Sequence, residues 1–431
     1  MIKQRMLSWL TSTMALLSVG FSSYALSDTH AAGADDLVSE DGAVKDSGVA
    51  KKEKAPRKEK DSAFLPFYFA TETMGNTFGV AGVVKGVWQP QAALFGMALY
   101  SDKDSYVGFL SAFNYALSEN VLFSTQMYQA RFNDNPYYLG DQGYNDSSSD
   151  NKTITDGLEQ NYQFEFKYLL PWGNVAKHGL LGAFQSVKDV SFASPVESGV
   201  SSILFTPFYT SRELKDLNND EKATGFSLAL DWDNRDSTRN PTKGSHTNLE
   251  FTTGAESWSN DDLWLKWTFQ NSQYFALGPL GEVFDQQVVA FDFYTADTPT
   301  WDNCSGQDCA RPPETEQARL GGLYRLRSYI GGRFHSRSAI HYSAEYRVTP
   351  NWQPLGDIPL INYYDLPWWQ WVAFAEVGRV AEEYDIKTLH SDMKWSLGGA
   401  VRFQVEGIVV RAELAQGADE GTFRVMINQP F

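Results

Sequence analysis

From Phe64 to the last residue, apolar and polar positions alternate. Tyr162, Phe164, Phe166 and Tyr168 stand between Gln163, Glu165 and Lys167. Ile340, Tyr342, Ala344, Tyr346 and Val348 stand between His341, Ser343, Glu345 and Arg347. Trp395, Leu397, Val401, Phe403 and Val405 alternate with Ser396, Gly398, Arg402 and Gln404, and the chain closes with Phe423, Val425, Ile427 and Phe431 set against Arg424 and Asn428. A period of two places one set on each face of a strand. One such run fits any half-buried sheet. Runs that follow one another over most of the chain, with no amphipathic helix between them, predict an all-β architecture.

The composition of the two faces narrows this. The apolar face is rich in Tyr, Phe and Trp, as a lipid-facing belt is, and the polar face carries charges, Gly and Ser. A transmembrane antiparallel β-barrel follows, its polar face lining a lumen. Strand centres are expected near 68, 82, 96, 109, 125, 164, 182, 228, 250, 267, 288, 343, 374, 398, 412 and 427, about 16 strands. Long polar connections are expected at 133–156, 191–221 and 296–335, and tight ones at 89–91, 171–174 and 277–281. This is the asymmetry of long extracellular loops and short periplasmic turns. Residues 349–367 break it, falling on the short side yet running long.

Bulk properties agree. The 431 residues suit one large barrel. A formal net charge of -17 argues against a nucleic-acid partner, because phosphate binding needs a basic surface. The mean hydropathy of -0.37 looks soluble, but only alternate residues of a barrel face lipid.

Residues 1–27 read as a signal peptide: Lys3 and Arg5, an apolar stretch from Met6 to Gly20, then small residues up to Ser27. A membrane anchor is the alternative, and the apolar centre is short for one. Residues 28–63 are poor in aromatics and include KKEKAPRKEK at 51–60, which predicts a disordered charged periplasmic tether. It is either a solvated linker or a contact for anionic head groups, peptidoglycan or a periplasmic partner. The barrel is expected over 64–431. Cys304 and Cys309 form a close pair in a polar loop, so on an exported chain a disulfide is expected. A metal site is the alternative, but two thiolates leave a tetrahedral metal short of ligands. No cofactor motif is present.

The segment LGGLYRLRSYIGGRF at 320–334 asks for a specific explanation. Arg327 sits among apolar residues and glycine pairs, either exposed on a mobile loop or folded into a confined space where it needs a carboxylate. Several stretches taken together resemble the bacterial surface antigen superfamily, the barrel of BamA/TamA-type assembly proteins. They are YFATETMGNTFGVAG (68–82), NPYYLG (135–140), DWDNRDSTRNPTKGSHTNLEF (231–251), the 320–334 segment, FAEVG (374–378) and FRVMINQPF (423–431). The resemblance covers essentially 64–431. It implies that the sixth loop folds into the lumen and that its Arg327 pairs with Glu376, with Leu326, Ser328 and Tyr329 completing the loop motif. Parity agrees, because Ala373, Ala375 and Val377 make the better lipid face and leave Glu376 pointing inward. The resemblance also implies a periplasmic turn built on Asp233, Arg235, Asp236, Asn240, Pro241 and Gly244. Phe423 and the terminal Phe431 resemble a C-terminal signal for barrel insertion, which would make the chain a client of the assembly machinery; a lipid-facing aromatic is the other reading of Phe431. Ser328 stands where the family has Gly, and Glu376 where it has Asp.

Family assembly proteins carry POTRA repeats before the barrel. Between the signal and Phe64 there is no room for one, so the chain reads as a standalone barrel that does not inherit the assembly role by default. Two functions are expected from this: a barrel of the bacterial outer membrane assisting insertion or translocation of proteins or lipids, or a structural or plugged barrel without assembly activity. An enzyme is not expected. Gly-x-Ser-x-Gly and His-Glu-x-x-His are absent, and His335 and His341 near Ser336, Ser338 and Glu345 read as lumen-lining polar residues.

Overall fold

A computed structural model of the protein describes residues 62–71, 74–185, 194–215, 217, 219–255, 263–305, 308–355, 364, 366–405, 408–427 and 429–431. The expected signal peptide and nearly all of the tether lie outside the described residues. The first strand begins at Ser62, inside the stretch expected to be tether.

The first eleven strands are β1 (Ser62–Thr71), β2 (Gly75–Lys85), β3 (Ala93–Ser101), β4 (Tyr106–Ala116), β5 (Val121–Tyr137), β6 (Thr153–Leu169), β7 (Val200–Leu214), β8 (Asn219–Asp233), β9 (Gly244–Ala255), β10 (Trp264–Leu280) and β11 (Phe284–Asp297). The chain then leaves the sheet and makes two small hairpins, β12 (Cys304–Ser305) with β13 (Asp308–Cys309) and β14 (Ala318–Leu320) with β15 (Phe334–Ser336). It returns as β16 (Ser338–Pro350), β17 (Trp369–Ala381), β18 (Lys394–Val405), β19 (Ile408–Gln416) and β20 (Gly421–Ile427). Strands β1–β11 and β16–β20 form one antiparallel sheet of 16 strands in chain order. Its two ends meet: Phe67 of β1 and Val425 of β20 pack on the same apolar cluster, and Ala63 of β1 and Ile408 of β19 on another. The architecture is an antiparallel β-barrel, in which neighbouring spanning strands pair one another's backbone groups along the sheet.

The period-two pattern sorts as expected along most of the sheet. In β17, Trp371, Ala373, Ala375 and Val377 face outward while Val372, Phe374, Glu376 and Gly378 are buried. Aromatic and aliphatic side chains cover the outer surface, among them Tyr168, Phe251, Phe291, Trp371 and Leu414. The inner face departs from expectation over β1–β5. There Ala81, Met97, Leu99, Val107, Tyr128 and Phe132 make a buried apolar cluster, so this wall is apolar on both sides. The polar lumen begins at β6, with Glu159, Asn161 and Gln163.

Two expected elements are corrected. No strand is centred at 182; residues 173–178 form an α-helix and 179–184 a 3-10 helix. Conversely, the expected long loop at 191–221 contains β7. Its alternation is blurred because apolar Leu204 and Phe208 share its inner face with Ser202, Thr206 and Thr210, and its centre holds Pro207. Proline has no N–H for a ladder, and the partners of β6 and β7 step from Gln163–Phe208 to Phe166–Phe205 across that point. The rim that carries both ends of the sheet therefore has two long connections, 170–199 and 351–368, and the asymmetry between rims is weaker than expected. The longest connection, 298–337, belongs to the opposite rim.

Candidate functional site

The 298–337 connection folds inward, and residues 326–329 and 331–336 are all buried. Glycine geometry permits the fold-back. Gly321 and Gly322 have φ of 95° and 118°, and a Cβ on Gly321 would strike the carbonyl of Ile330. Leu326 also adopts a left-handed φ of 47° although it is not glycine. Its carbonyl accepts from Tyr329 N at 3.0 Å, and its N–H donates to His341 Nε2 at 3.3 Å. Ser328, where the family has glycine, is not among the residues of positive φ. Its N–H donates to Ser396 Oγ at 3.0 Å, so the left-handed turn is made at Leu326 and leaves room for a side chain at 328.

This turn aims Arg327 at the inner faces of β16, β17 and β19. Arg327 N–H donates to Glu376 Oε2 at 2.7 Å and its Nε to Glu376 Oε1 at 2.9 Å. One carboxylate thus takes both a backbone and a side-chain donor. Nη1 reaches Glu345 Oε1 at 2.9 Å and Glu413 Oε2 at 3.2 Å. The guanidinium also lies 3.5 Å over the Phe374 ring. All of these charged side chains are fully buried. Burial alone would push the Arg327 guanidinium down, but the carboxylates of Glu376, Glu413 and Glu345 outweigh it and hold the group above the ordinary arginine range. Charge-assisted bonds of this kind are about twice as strong as neutral ones, and the planar fork suits several carboxylates at once.

Glu345 is a hub. Its Oε1 also binds Arg402 Nη2 at 2.6 Å, and its Oε2 binds Arg347 Nε at 2.8 Å. The roles of Glu345 and Glu413 were not assigned from sequence. The available signal was parity: Glu345, Arg347, Arg402 and Glu413 all occupy inward positions of alternating strands. His335 and His341 are buried polar side chains, His335 Nδ1 contacting the Gly332 carbonyl at 3.0 Å.

The opposite rim's loop is matched from below by the turn at 234–243. Asp233 binds Arg235 through N–H at 3.0 Å, Nε at 2.9 Å and Nη2 at 2.6 Å. Asp236 accepts from Thr242 N–H at 2.8 Å and Lys243 N–H at 3.1 Å, closing the turn over Pro241. Gly244, with φ of 98°, faces the Asn234 carbonyl where a Cβ would clash. Asn240 Oδ1 accepts from Gln370 of β17 at 2.9 Å, which ties the turn to the barrel wall.

The chain's last residues overturn one reading. Phe423 faces outward, but β20 stops at Ile427 and Phe431 is buried, not lipid-facing. Its ring packs with Tyr274, Val288 and Ala290 across the lumen, 5.4 Å from the Arg347 guanidinium. Pro430 gives the physical reason, since it cannot donate to a continuing ladder. Cys304 and Cys309 are disulfide-bonded and are register partners in the β12–β13 hairpin, so they pin the start of the 298–337 connection.

Against this geometry, the Omp85 superfamily domain matches residues 97–415. Members of that superfamily are outer-membrane β-barrels. No match was found among curated protein sequences. Among solved structures the fold is similar to CdiB from Escherichia coli, at 11% identity and a TM-score of 0.53, covering 85% of this chain and 61% of that one. It is also similar to CdiB from Acinetobacter baumannii, at 12% identity and a TM-score of 0.51, covering 85% and 59%. BamA from Haemophilus ducreyi lacking POTRA domains 1-3 matches at 11% identity and a TM-score of 0.48, covering 86% and 70%. The chain thus spans about three-fifths of the CdiB chains. The family match covers well over half of the sequence, and the chain belongs to the Omp85 superfamily.

Proposed function

We propose that the protein is a non-enzymatic barrel of the bacterial outer membrane that assists insertion or translocation of proteins or lipids, together with a separate periplasmic partner recruited by residues 28–63. The observation that carries this reading is the Arg327 peg on Glu376, Glu345 and Glu413. A barrel that merely needed its lumen filled could use apolar side chains and avoid the desolvation cost of buried charges. A buried ion cluster instead fixes one register of the loop against the wall beside the meeting point of β1 and β20, where a working seam would lie. Membership of the Omp85 superfamily adds support.

A second reading has its own observation. A loop bound to three strands inside the lumen is also what a permanently plugged, structural barrel would contain. The two readings part in the cell. In a deletion strain, protein and lipid composition of the outer membrane is quantified, with complementation by the full chain and by a chain lacking residues 28–61, which leaves β1 whole. Loss of a defined subset that returns only with the tether fits a biogenesis factor with a docked partner. An unchanged composition would leave the plugged barrel as the better account.

A further inference from the structure

Two sets of bonds stand out among those that hold the lumen loop. One is the Arg327 peg. The other runs chiefly to the β19–β20 hairpin, with one bond from Arg333 Nη2 to the Ser147 carbonyl at 2.8 Å in the β5–β6 connection. Arg424, inward on β20 and buried, donates through Nη1 to the carbonyls of Arg327 at 3.0 Å and Gly322, and through Nη2 to that of Tyr329 at 2.7 Å. Thr422 Oγ1 adds a bond to the Arg327 carbonyl at 2.8 Å. In return, the loop's Arg333 grips the turn of the hairpin, Nη2 on Asp419 Oδ2 at 2.5 Å and Nη1 on Glu420 Oε2 at 2.7 Å. Glu420 Oε1 also accepts from Ile330 N–H at 3.1 Å. The two surfaces are in close contact, for a Cβ on Gly417 would meet Ser328 Oγ and the Tyr329 ring.

The other side of the junction is different in kind. The described side-chain packing that brings β1 to β19 and β20 is apolar, Phe67 with Val425 and Ala63 with Ile408 on their shared clusters. Apolar packing is non-directional and slides; arginine forks on fixed carbonyls and carboxylates do not.

We propose that Arg333 and Arg424 form a second anchor, which does not use the Arg327 side chain, that makes the lumen loop and the β19–β20 hairpin one body. Displacement at the junction then leaves the loop with β20 and moves the β1–β2 hairpin. This holds whether the barrel is a biogenesis factor or a plugged one, so it can fail without the functional reading failing. Arg333 and Arg424 are positioning residues.

The test is amide hydrogen exchange of the full chain in detergent, followed through increasing urea. In the native protein, amides of 322–334 and of 409–427 are expected to share one opening rate, with the β1–β2 amides opening at least tenfold faster. Hairpin amides that open with β1–β2 while the loop stays closed would overturn the proposal. Arg424→Gln with Arg333→Gln should then separate loop from hairpin, raising exchange of 409–427 at least tenfold while β6–β11 is unchanged. A change under twofold would also overturn it. If the double variant does not fold, the native-state rates still decide. Arg424→Lys keeps the charge but not the fork across three carbonyls; it should behave like the Gln variant, and full retention of slow exchange would reduce the anchor to simple charge.

Discussion

The wall formed by β1–β5 and the wall formed by β16–β20 face the same lumen with opposite chemistry. On the first, Met97, Leu99, Val107 and Phe132 pack as a core would. On the second, Glu345, Arg347, Glu376, Arg402, Arg411, Glu413 and Arg424 are buried side by side. Arg402 and Arg411 are even direct register partners, a like-charge pair that a sheet tolerates only when other charges compensate. Glu345 does this for Arg402, and the carbonyl of Leu323 accepts from Arg411 Nη2 at 2.6 Å. The apolar wall closes on itself by area. On the charged wall, Glu376, Arg411 and Arg424 take their bonds from the loop. The contrast teaches that one wall of this lumen is generic and the other is written for one partner, the arginine-bearing loop.

The largest effect expected from breaking this contrast is at the peg. Arg327→Ala leaves three carboxylates buried without their shared cation and should cost about 3–5 kcal/mol in unfolding experiments in detergent. With Arg333→Gln and Arg424→Gln added, it should also expose 318–334 to protease. Glu376→Ala should act in the same direction, and the double variant should add little to the larger single effect, since the two residues act as a unit. Additive losses would show that they are not partners. On the apolar wall, a volume-conserving change such as Met97→Leu should cost under about 1.5 kcal/mol and leave the loop protected. A loss as large as that at Arg327 would erase the distinction between the walls. Reduction of Cys304–Cys309 should shift barrel melting only slightly, because the bond closes a loop with a sequence separation of 5 that lies outside both walls.

The smallest effect is at the rim. Asp385 caps the helix at 386–389, accepting the N–H groups of Lys387 and Thr388, and these bonds, chiefly that from Thr388, hold its carboxyl below the ordinary value of 3.8. A carboxyl lowered in the folded state adds stability above its unfolded value and loses it as the pH falls through the folded one. Exchange of amides 386–390 should therefore rise only once the pH drops below 3.8, with the loop amides of 326–329 still slow. Loop amides that loosen first would place the weaker site in the lumen.

Much of this was legible in the sequence. Period two marked the strands, because lipid and lumen sort alternate residues along any barrel strand. The parity of Glu376 placed it inward, and the resemblance paired it with Arg327. What escaped has physical causes. β7 hides its period because apolar Leu204 and Phe208 face inward among its polar side chains and Pro207 interrupts it. The inner apolar wall was missed because β2–β4 read as nearly continuous apolar runs, as in ALFGMALYS, where one face cannot be told from the other. The shared roles of Glu345 and Glu413 depend on three strands converging on one guanidinium. Parity gives direction but not convergence. The inward turn of Phe431 depends on where β20 stops, which no periodic signal marks; the proline, Pro430, comes three residues after Ile427.

The most direct test of the account is thiol labelling at residue 328. The chain's two cysteines are joined as Cys304–Cys309, so Ser328→Cys adds the one free thiol, at a fully buried position bonded to Ser396. In the folded barrel it should resist a maleimide reagent, and it should become reactive when Arg327→Ala is added together with Arg333→Gln and Arg424→Gln, which removes both anchors. Rapid, complete labelling with Arg327 intact would mean that the loop is not held in the lumen, and the central claim would fall.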